Sequence, residues 1–269
     1  MRRRVLQLLL YALVGYALIV ALVWWQQDRM TFPGAGRGER EVDTAGVELF
    51  TLTRHGGSVF RAVQRVPEGP RAVLAFFVGN GEDLCSAARH VAQLAEHGVA
   101  VVSGEYPGYG TSAGKPGVES ILAMADAVAA HAQALARELQ VPFLVGGSSL
   151  GTCCAMHVAT NGTAARCLLR APPTSLVEVA QRQFWWLPVA ALMRHRFDNA
   201  VLAPRVRCPV LIVHGDADTI VPCEFGEKLR SLCAGPAELV VVPGAGHNDL
   251  SLAKDGPVGN RVGEFLRGR

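Results

Sequence analysis

A serine hydroxyl is a weak nucleophile at its free pKa; it becomes reactive when a histidine takes its proton and a carboxylate orients that histidine. The segment Val145-Gly146-Gly147-Ser148-Ser149-Leu150-Gly151-Thr152 offers such a serine. Gly147, Ser149 and Gly151 fit the pattern G-x-S-x-G, in which the serine sits in a strained strand-to-helix turn and the glycines leave room for the chain reversal. An apolar run from Val141 to Val145 precedes the turn and a helix-compatible run from Cys153 to Thr160 follows it. Ser149 is therefore the candidate nucleophile. Ser148 is the poorer choice, since Leu150 stands where its second glycine is required. A glycine-serine turn alone also fits an ordinary loop, so the partners must decide.

In such an arrangement the acid and then the histidine follow the serine along the chain. His214-Gly215-Asp216-Ala217-Asp218 leaves an apolar run and places two carboxylates, Asp216 and Asp218, in the loop beyond it; spacing alone does not choose between them. Gly244-Ala245-Gly246-His247-Asn248-Asp249 leaves the next such run, with glycines that let the loop carry an imidazole over the serine. Among the 8 histidines, His90, His97, His131 and His157 fall in helical runs, His55 in a turn, His195 in a long connection and His214 at a strand end. Packed or solvated roles are the ordinary expectation there. His247 alone combines chain order with flanking glycines.

Acyl chemistry further requires donors for the oxyanion of a tetrahedral intermediate. The N–H of Leu150, directly after the nucleophile at a helix start, supplies one. The N–H of Asn80 in Val78-Gly79-Asn80-Gly81 is placed to supply the other. The same loop suits a helix lead-in capped by Asn80 or Asp83, and the two roles are compatible.

These loops need strands to hold them. Residues 72–78 form a continuous apolar run, the mark of a strand buried on both faces. Strands are expected over 47–53 and 58–66, as a hairpin across His55-Gly56-Gly57, and over 99–103, 141–145, 166–170, 210–214 and 238–242. Helical patterns over 83–97, 120–139, 153–160, 224–233 and the terminal segment alternate with them. The expected fold class is α/β, a mostly parallel central sheet with helices on both faces. Residues 171–206 interrupt the rhythm. This insertion, with Phe184, Trp185, Trp186 and Met193, reads either as a short cap or lid or as a crossover helix burying its aromatics.

With 269 residues, half of them apolar, the chain can bury one sizeable core. Its net charge of +3 is matched by Arg2, Arg3 and Arg4 alone, so there is no basic field for nucleic acid. The 7 cysteines form no C-x-x-C pair and no histidine stands at zinc spacing, so neither a metal nor a disulfide framework is expected. Cys153 and Cys154 are expected to pack beneath the serine turn as small apolar residues.

After the arginines, Val5 to Trp25 is apolar apart from Gln7, long enough to cross a bilayer, and ends in Trp24 and Trp25, where an aromatic belt would meet headgroups. A cleaved signal peptide is the alternative, but its apolar core is shorter and ends in small residues. Residues 1–27 are thus expected to be an uncleaved transmembrane anchor, 28–46 a linker or packed lead-in and 47–269 the catalytic domain. The arginine cluster favours a cytoplasmic amino terminus and a domain on the non-cytoplasmic side; Arg29, Arg37 and Arg40 dilute that bias.

Gly79-Asn80-Gly81, Tyr106-Pro107-Gly108-Tyr109-Gly110-Thr111-Ser112, the Ser149 turn, Cys208-Pro209-Val210-Leu211-Ile212-Val213-His214-Gly215 with Asp218, and Gly246-His247-Asn248-Asp249 together resemble the α/β-hydrolase superfamily across nearly all of Val47 to Leu266. They are most similar to its membrane-anchored branch, whose known members cleave acyl esters, lysophospholipids or acyl-protein thioesters. The resemblance assigns the acid to Asp218. It also shows two departures: Val78 stands where the family commonly has a histidine, and Glu105 where it commonly has an aspartate, both bearing on loop geometry. The expected function is a membrane-anchored serine hydrolase of ester or thioester acyl groups, working without a cofactor on a small-molecule or lipid-like substrate. The alternatives are a peptidase of the same fold and a non-catalytic membrane-tethered binding module.

Overall fold

Short apolar runs separated by glycine-rich turns leave little choice but strands stacked inside a layer of helices. A computed structural model describes residues 1–38, 41–43, 46–53, 57 and 59–268. In chain order the elements are α1 (Arg2–Thr31), β1 (Glu48–Thr53), β2 (Val59–Arg65), β3 (Val73–Phe77), α2 (Leu84–Ala95), β4 (Ala100–Gly104), α3 (Val118–Glu138), β5 (Phe143–Ser148), α4 (Gly151–Ala159) and β6 (Cys167–Arg170). They continue with α5 (Leu176–Gln183), α6 (Val189–Leu192), α7 (Asn199–Leu202), β7 (Val210–Gly215), α8 (Cys223–Leu232), β8 (Ala237–Val242) and α9 (Gly259–Arg267).

The strands form one sheet in the order β1-β2-β4-β3-β5-β6-β7-β8. β1 pairs with β2 and β2 with β4 antiparallel, and every pair beyond is parallel. The hairpin register sets Leu49 opposite Val63 and Thr53 opposite Val59; His55 and Gly56 of the expected turn lie outside the described residues. Every residue of β3, β4, β5, β6 and β7 is buried, as strands covered on both faces must be. α3 and α4 pack on each other and over β3 and β5. α2 lies on β2 and β4, starts at an Asp83 cap that accepts the Ser86 N–H (3.0 Å), and is joined to α9 by Arg267, which donates to the His97 carbonyl. The carboxyl ends of β3, β5, β7 and β8 meet along one edge, where open α/β sheets carry their sites. All seven cysteines are free, and Cys153 and Cys154 are buried in α4.

The insertion between β6 and β7 folds as α5, α6 and α7. Leu187, Val189 and Phe197 are buried, whereas Trp185 is 79% exposed and Trp186 43%. A crossover helix burying its aromatics does not describe these tryptophans. α1 is long and apolar enough to cross a membrane by length and composition. It runs past the expected boundary at residue 27 because its end has partners in the insertion. Gln27 Nε2 donates to the Leu192 carbonyl (3.2 Å), Gln27 Oε1 accepts the Arg194 N–H (2.9 Å), and Asp28 Oδ1 meets Arg194 (3.0 Å) and His195 (2.8 Å). Phe32, 1% exposed, then stops the helix and sets its ring edge-on to His195 at 4.8 Å. The first part of the expected linker is therefore a helix end and a packed turn.

Phe32 is the apolar rivet between α1 and the body. Phe32→Ala should destabilise the fold by about 3–5 kcal/mol, read as a lower thermal midpoint of the full chain in detergent micelles; an unchanged midpoint would mean that the ring carries no packing.

Candidate active site

The turn after β5 is built by close backbone approach. A Cβ on Gly147 would lie 2.2 Å from the Gly151 carbonyl oxygen, and one on Gly151 2.0 Å from that of Phe77 at the end of β3. Between them Ser149 adopts a left-handed φ of 50°, a costly conformation for a non-glycine residue, of the kind found where a side chain must be presented to a site. The Ser149 N–H donates to the Arg170 carbonyl (2.8 Å), and its own carbonyl accepts the Thr152 N–H (3.0 Å) and hydroxyl (2.6 Å). Asn199, fully buried, donates in turn to Thr152 Oγ1 (2.9 Å) and the Pro173 carbonyl (2.9 Å), tying the insertion to the turn.

Ser149, His247 and Asp218 lie in one hydrogen-bonded chain. His247 Nε2 is 3.0 Å from Ser149 Oγ, and His247 Nδ1 is 2.7 Å from Asp218 Oδ2. Asp218 Oδ1 accepts the N–H groups of Ile220 (2.9 Å) and Val221 (2.8 Å). Asp216 instead accepts the Gly244 N–H (2.6 Å), bracing the acid loop against the histidine loop. These two loops touch at backbone level, since a Cβ on Gly215 would lie 2.0 Å from the Ala245 carbonyl. His214 is fully buried, with Nε2 at 2.8 Å from the Val221 carbonyl and 3.5 Å from Asp218 Oδ2. Burial acts to raise the Asp218 pKa, but hydrogen bonds from His214, His247 and Val221 outweigh it and hold the carboxyl well below its ordinary 3.8.

The adjacent serine has the opposite fate. Ser148 is 1% exposed and its Oγ accepts from Arg170 Nη1 at 2.6 Å. Arg170 Nε donates to the Leu250 carbonyl (2.7 Å) and Nη2 lies 3.4 Å from the His247 carbonyl, so one buried guanidinium supports both the serine turn and the histidine loop. Burial pushes its pKa down, and the carboxylates of Glu82, Asp218 and Asp249 push it back up. Glu82 accepts the Gly79 N–H and meets His90 Nε2 at 2.9 Å; its pKa is lowered because the His90 and Gly79 bonds outweigh its burial. Sequence reasoning missed Arg170 and Glu82. The available signal was a lone arginine closing the apolar strand Cys167-Leu168-Leu169-Arg170, since a charge there must find partners.

The Asn80 loop faces the serine turn across the end of β3. Asn80 Nδ2 donates to the carbonyl of Thr31 in α1 (2.6 Å) and Oδ1 accepts the Tyr109 hydroxyl (2.8 Å). Among the described residues, the backbone N–H groups of Asn80 and Leu150 have no protein acceptor. Of the two departures from the family pattern, Val78 is buried with its carbonyl accepting the Tyr106 hydroxyl (2.6 Å). Glu105 accepts the N–H groups of Leu84 (3.2 Å) and Ser112 (3.2 Å), holding the Tyr106–Ser112 loop. A polar cavity of 390 Å³ lies in front of Ser149 and His247, with Glu82, Arg89, His90 and Ser251 in its wall. Among the described residues no cluster of His, Cys, Asp or Glu is arranged to hold a metal.

A carboxyl whose folded pKa is depressed contributes stability that is fully present above its unfolded value and lost as the pH falls below it. Thermal unfolding of the wild type should therefore weaken more steeply than that of Asp218→Asn between about pH 4 and pH 2. Parallel curves would remove Asp218 from the acid-sensitive groups. Gly151→Ala should destabilise by at least about 2 kcal/mol, because backbone rather than a side-chain tip must move; thermal melts check this.

Comparison with known proteins agrees with the architecture. A family model described as serine aminopeptidase, S33, matches residues 68–199, and one described as TAP-like protein matches residues 187–268. An uncharacterized protein of Mycobacterium tuberculosis is 31% identical over 256 residues, covering 92% of this chain and 90% of its own. Alpha/beta hydrolase domain-containing protein 17B of Xenopus tropicalis is 30% identical over 217 residues, covering 79% of this chain and 73% of its own. Among solved structures, an esterase of Pyrococcus furiosus superposes with a TM-score of 0.68 at 16% identity, covering 87% of this chain and 96% of that one. With the parallel sheet, the glycine-bound serine turn and relatives that match along most of its length, the chain belongs to the α/β-hydrolase family.

Proposed function

We propose that the protein is a serine hydrolase, anchored to a membrane by its amino-terminal helix, that cleaves carboxylic ester or thioester acyl groups. The observation that carries this is the chain of hydrogen bonds from Ser149 Oγ through His247 to Asp218 at a turn with left-handed φ. In this reading Ser149 Oγ attacks the acyl carbonyl while His247 Nε2 takes its proton. Asp218 keeps Nδ1–H as the donor tautomer and stabilises the imidazolium. The oxyanion lies against the N–H groups of Asn80 and Leu150. Collapse breaks the acyl bond to the leaving oxygen or sulfur, which departs with the proton from His247; water then repeats the sequence on the acyl-enzyme, releasing the acid and restoring Ser149.

Residues 1–27 act as the anchor, 28–46 connect it, and 47–269 form the hydrolase domain with 171–206 as its cap. The Arg2–Arg4 cluster supports a cytoplasmic amino terminus, with the domain across the membrane. A second reading, a peptidase, is favoured by the aminopeptidase description of the matching family model and by the carboxylates of Glu82 and Asp249 in the cavity wall. Both carboxylates already accept backbone N–H groups, Gly79 and Gly246, which weakens them as anchors for a substrate amine.

A fluorophosphonate probe should label the wild type and Ser148→Ala but not Ser149→Ala, and Asp218→Asn should lower kcat on a short acyl ester by roughly 10³–10⁴-fold. Labelling that survives in Ser149→Ala would remove the proposed nucleophile, and a folded but unlabelled wild type would favour a binding module. Faster turnover of an aminoacyl arylamide than of any acyl ester would replace the esterase reading by the peptidase one.

A further inference from the structure

We infer that α1 is a wall of the substrate site as well as a tether, and that the substrate's acyl chain lies in an apolar groove between α1 and the α5–α6 insertion; this rests on the hydrolase reading above. A cavity of 210 Å³ is lined on one side by Val23 and Met30 of α1 and on the other by Val179, Ala180, Phe184 and Leu192. Asn80 belongs to its lining and also to that of the polar cavity holding Ser149 and His247. The groove follows α1 from Val23 to Thr31, about 12 Å of helix axis. An apolar cavity and one with charged groups in its wall thus share Asn80, the proposed oxyanion donor. An ester straddling that junction sends its hydrocarbon one way and its polar leaving group toward Arg89, His90 and Ser251 the other.

The groove is built into the fold. Tyr16, Val23, Gln27 and Thr31 recur at helical spacing on one face of α1. Tyr16 donates to the Trp186 carbonyl (3.0 Å), Gln27 bonds at both ends of its amide to the chain at Leu192 and Arg194, and the Arg194 guanidinium sits 5.0 Å from the Trp24 ring centre. The last turn reaches the reaction centre itself, through the Thr31 carbonyl that accepts Asn80 Nδ2. Trp186 meets α1 at Tyr16, about 14 Å along the apolar run from Trp25. With α1 in a bilayer, Trp186 lies beside Tyr16 at hydrocarbon depth, and the Val23 end of the groove opens at the headgroup boundary, next to the acyl chains. Its occupant is the chain of a lipid-like acyl ester or thioester entering sideways from the membrane.

The test uses the full chain in lipid nanodiscs with 4-nitrophenyl butyrate and 4-nitrophenyl palmitate. Val23→Trp and Ala180→Trp, which fill the groove from opposite walls, should each lower kcat/KM for palmitate tenfold or more while butyrate turnover and fluorophosphonate labelling stay within twofold. Leu13→Trp, on α1 away from the groove, should change neither. As a readout free of groove variants, a long-chain alkyl fluorophosphonate with a diazirine at its chain end reacts with Ser149 in the wild type, fluoride leaving phosphorus as the Ser149–O–P bond forms. Irradiation should then cross-link it to residues 23–31 or 176–193. Losses shared equally by the two esters, no loss for either, or cross-links confined to the polar cavity overturn the groove. A wild type that neither hydrolyses butyrate nor takes the probe overturns the hydrolase reading itself.

Discussion

Two peptide backbones pressed together at the end of β3 impose most of what surrounds Ser149. Only a residue without Cβ lets Gly151 lie against the Phe77 carbonyl, and only Gly147 lets the strand pass under the first turn of α4. With those approaches fixed, the chain has two residues, Ser149 and Leu150, in which to turn from strand to helix, and Ser149 takes the left-handed conformation. The strain is held by the Arg170 carbonyl on one side and Thr152 on the other. A core packed on both faces of β3 and β5 keeps the backbone from relaxing.

Much of this was legible in the sequence because the relevant signals are local. The apolar run around Val73–Phe77 announces a strand buried on both faces, and the strand-glycine-serine-glycine-helix order announces the turn. His247 stood out by its flanking glycines. Between Asp216 and Asp218 the sequence pattern was silent, because the choice depends on which carboxylate the loop turns inward. Asp218 accepts two N–H groups of its own loop and so faces His247, while Asp216 reaches across to Gly244. The continuation of α1 to Thr31 was also out of reach, since it depends on Leu192, Arg194 and His195, distant in sequence.

Beside the Ser149 turn lies a set of polar groups that no motif records: Arg170 is buried, and Glu82 and His90 are half-buried in the cavity wall. Arg170, Glu82 and His90 are mutually placed so that each backbone loop of the site, at Gly79, Ser148 and His247, touches one of them. Removing Arg170 would leave the carbonyls of Leu250 and His247 without their donor, and a buried polar group left unpaired is costly. The arrangement trades tolerance to substitution for fixed loop positions. Glu105 does the same for the Tyr106–Ser112 loop with one more methylene than the aspartate common in the family, and that loop in turn steadies Asn80 through Tyr109.

The order of the strands has a consequence for how the protein comes into being. The hydrogen bond from His247 to Ser149 joins residues 98 apart, and that from His247 to Asp218 residues 29 apart. During synthesis a domain generally folds as a unit, and the eight strands here belong to one sheet. β5 and its serine turn are made before β7 and β8, and contacts of such long range form late. Through that interval Ser149 has no His247 beside it, and the hydrogen-bonded chain to Asp218 is completed only when the last strand has paired.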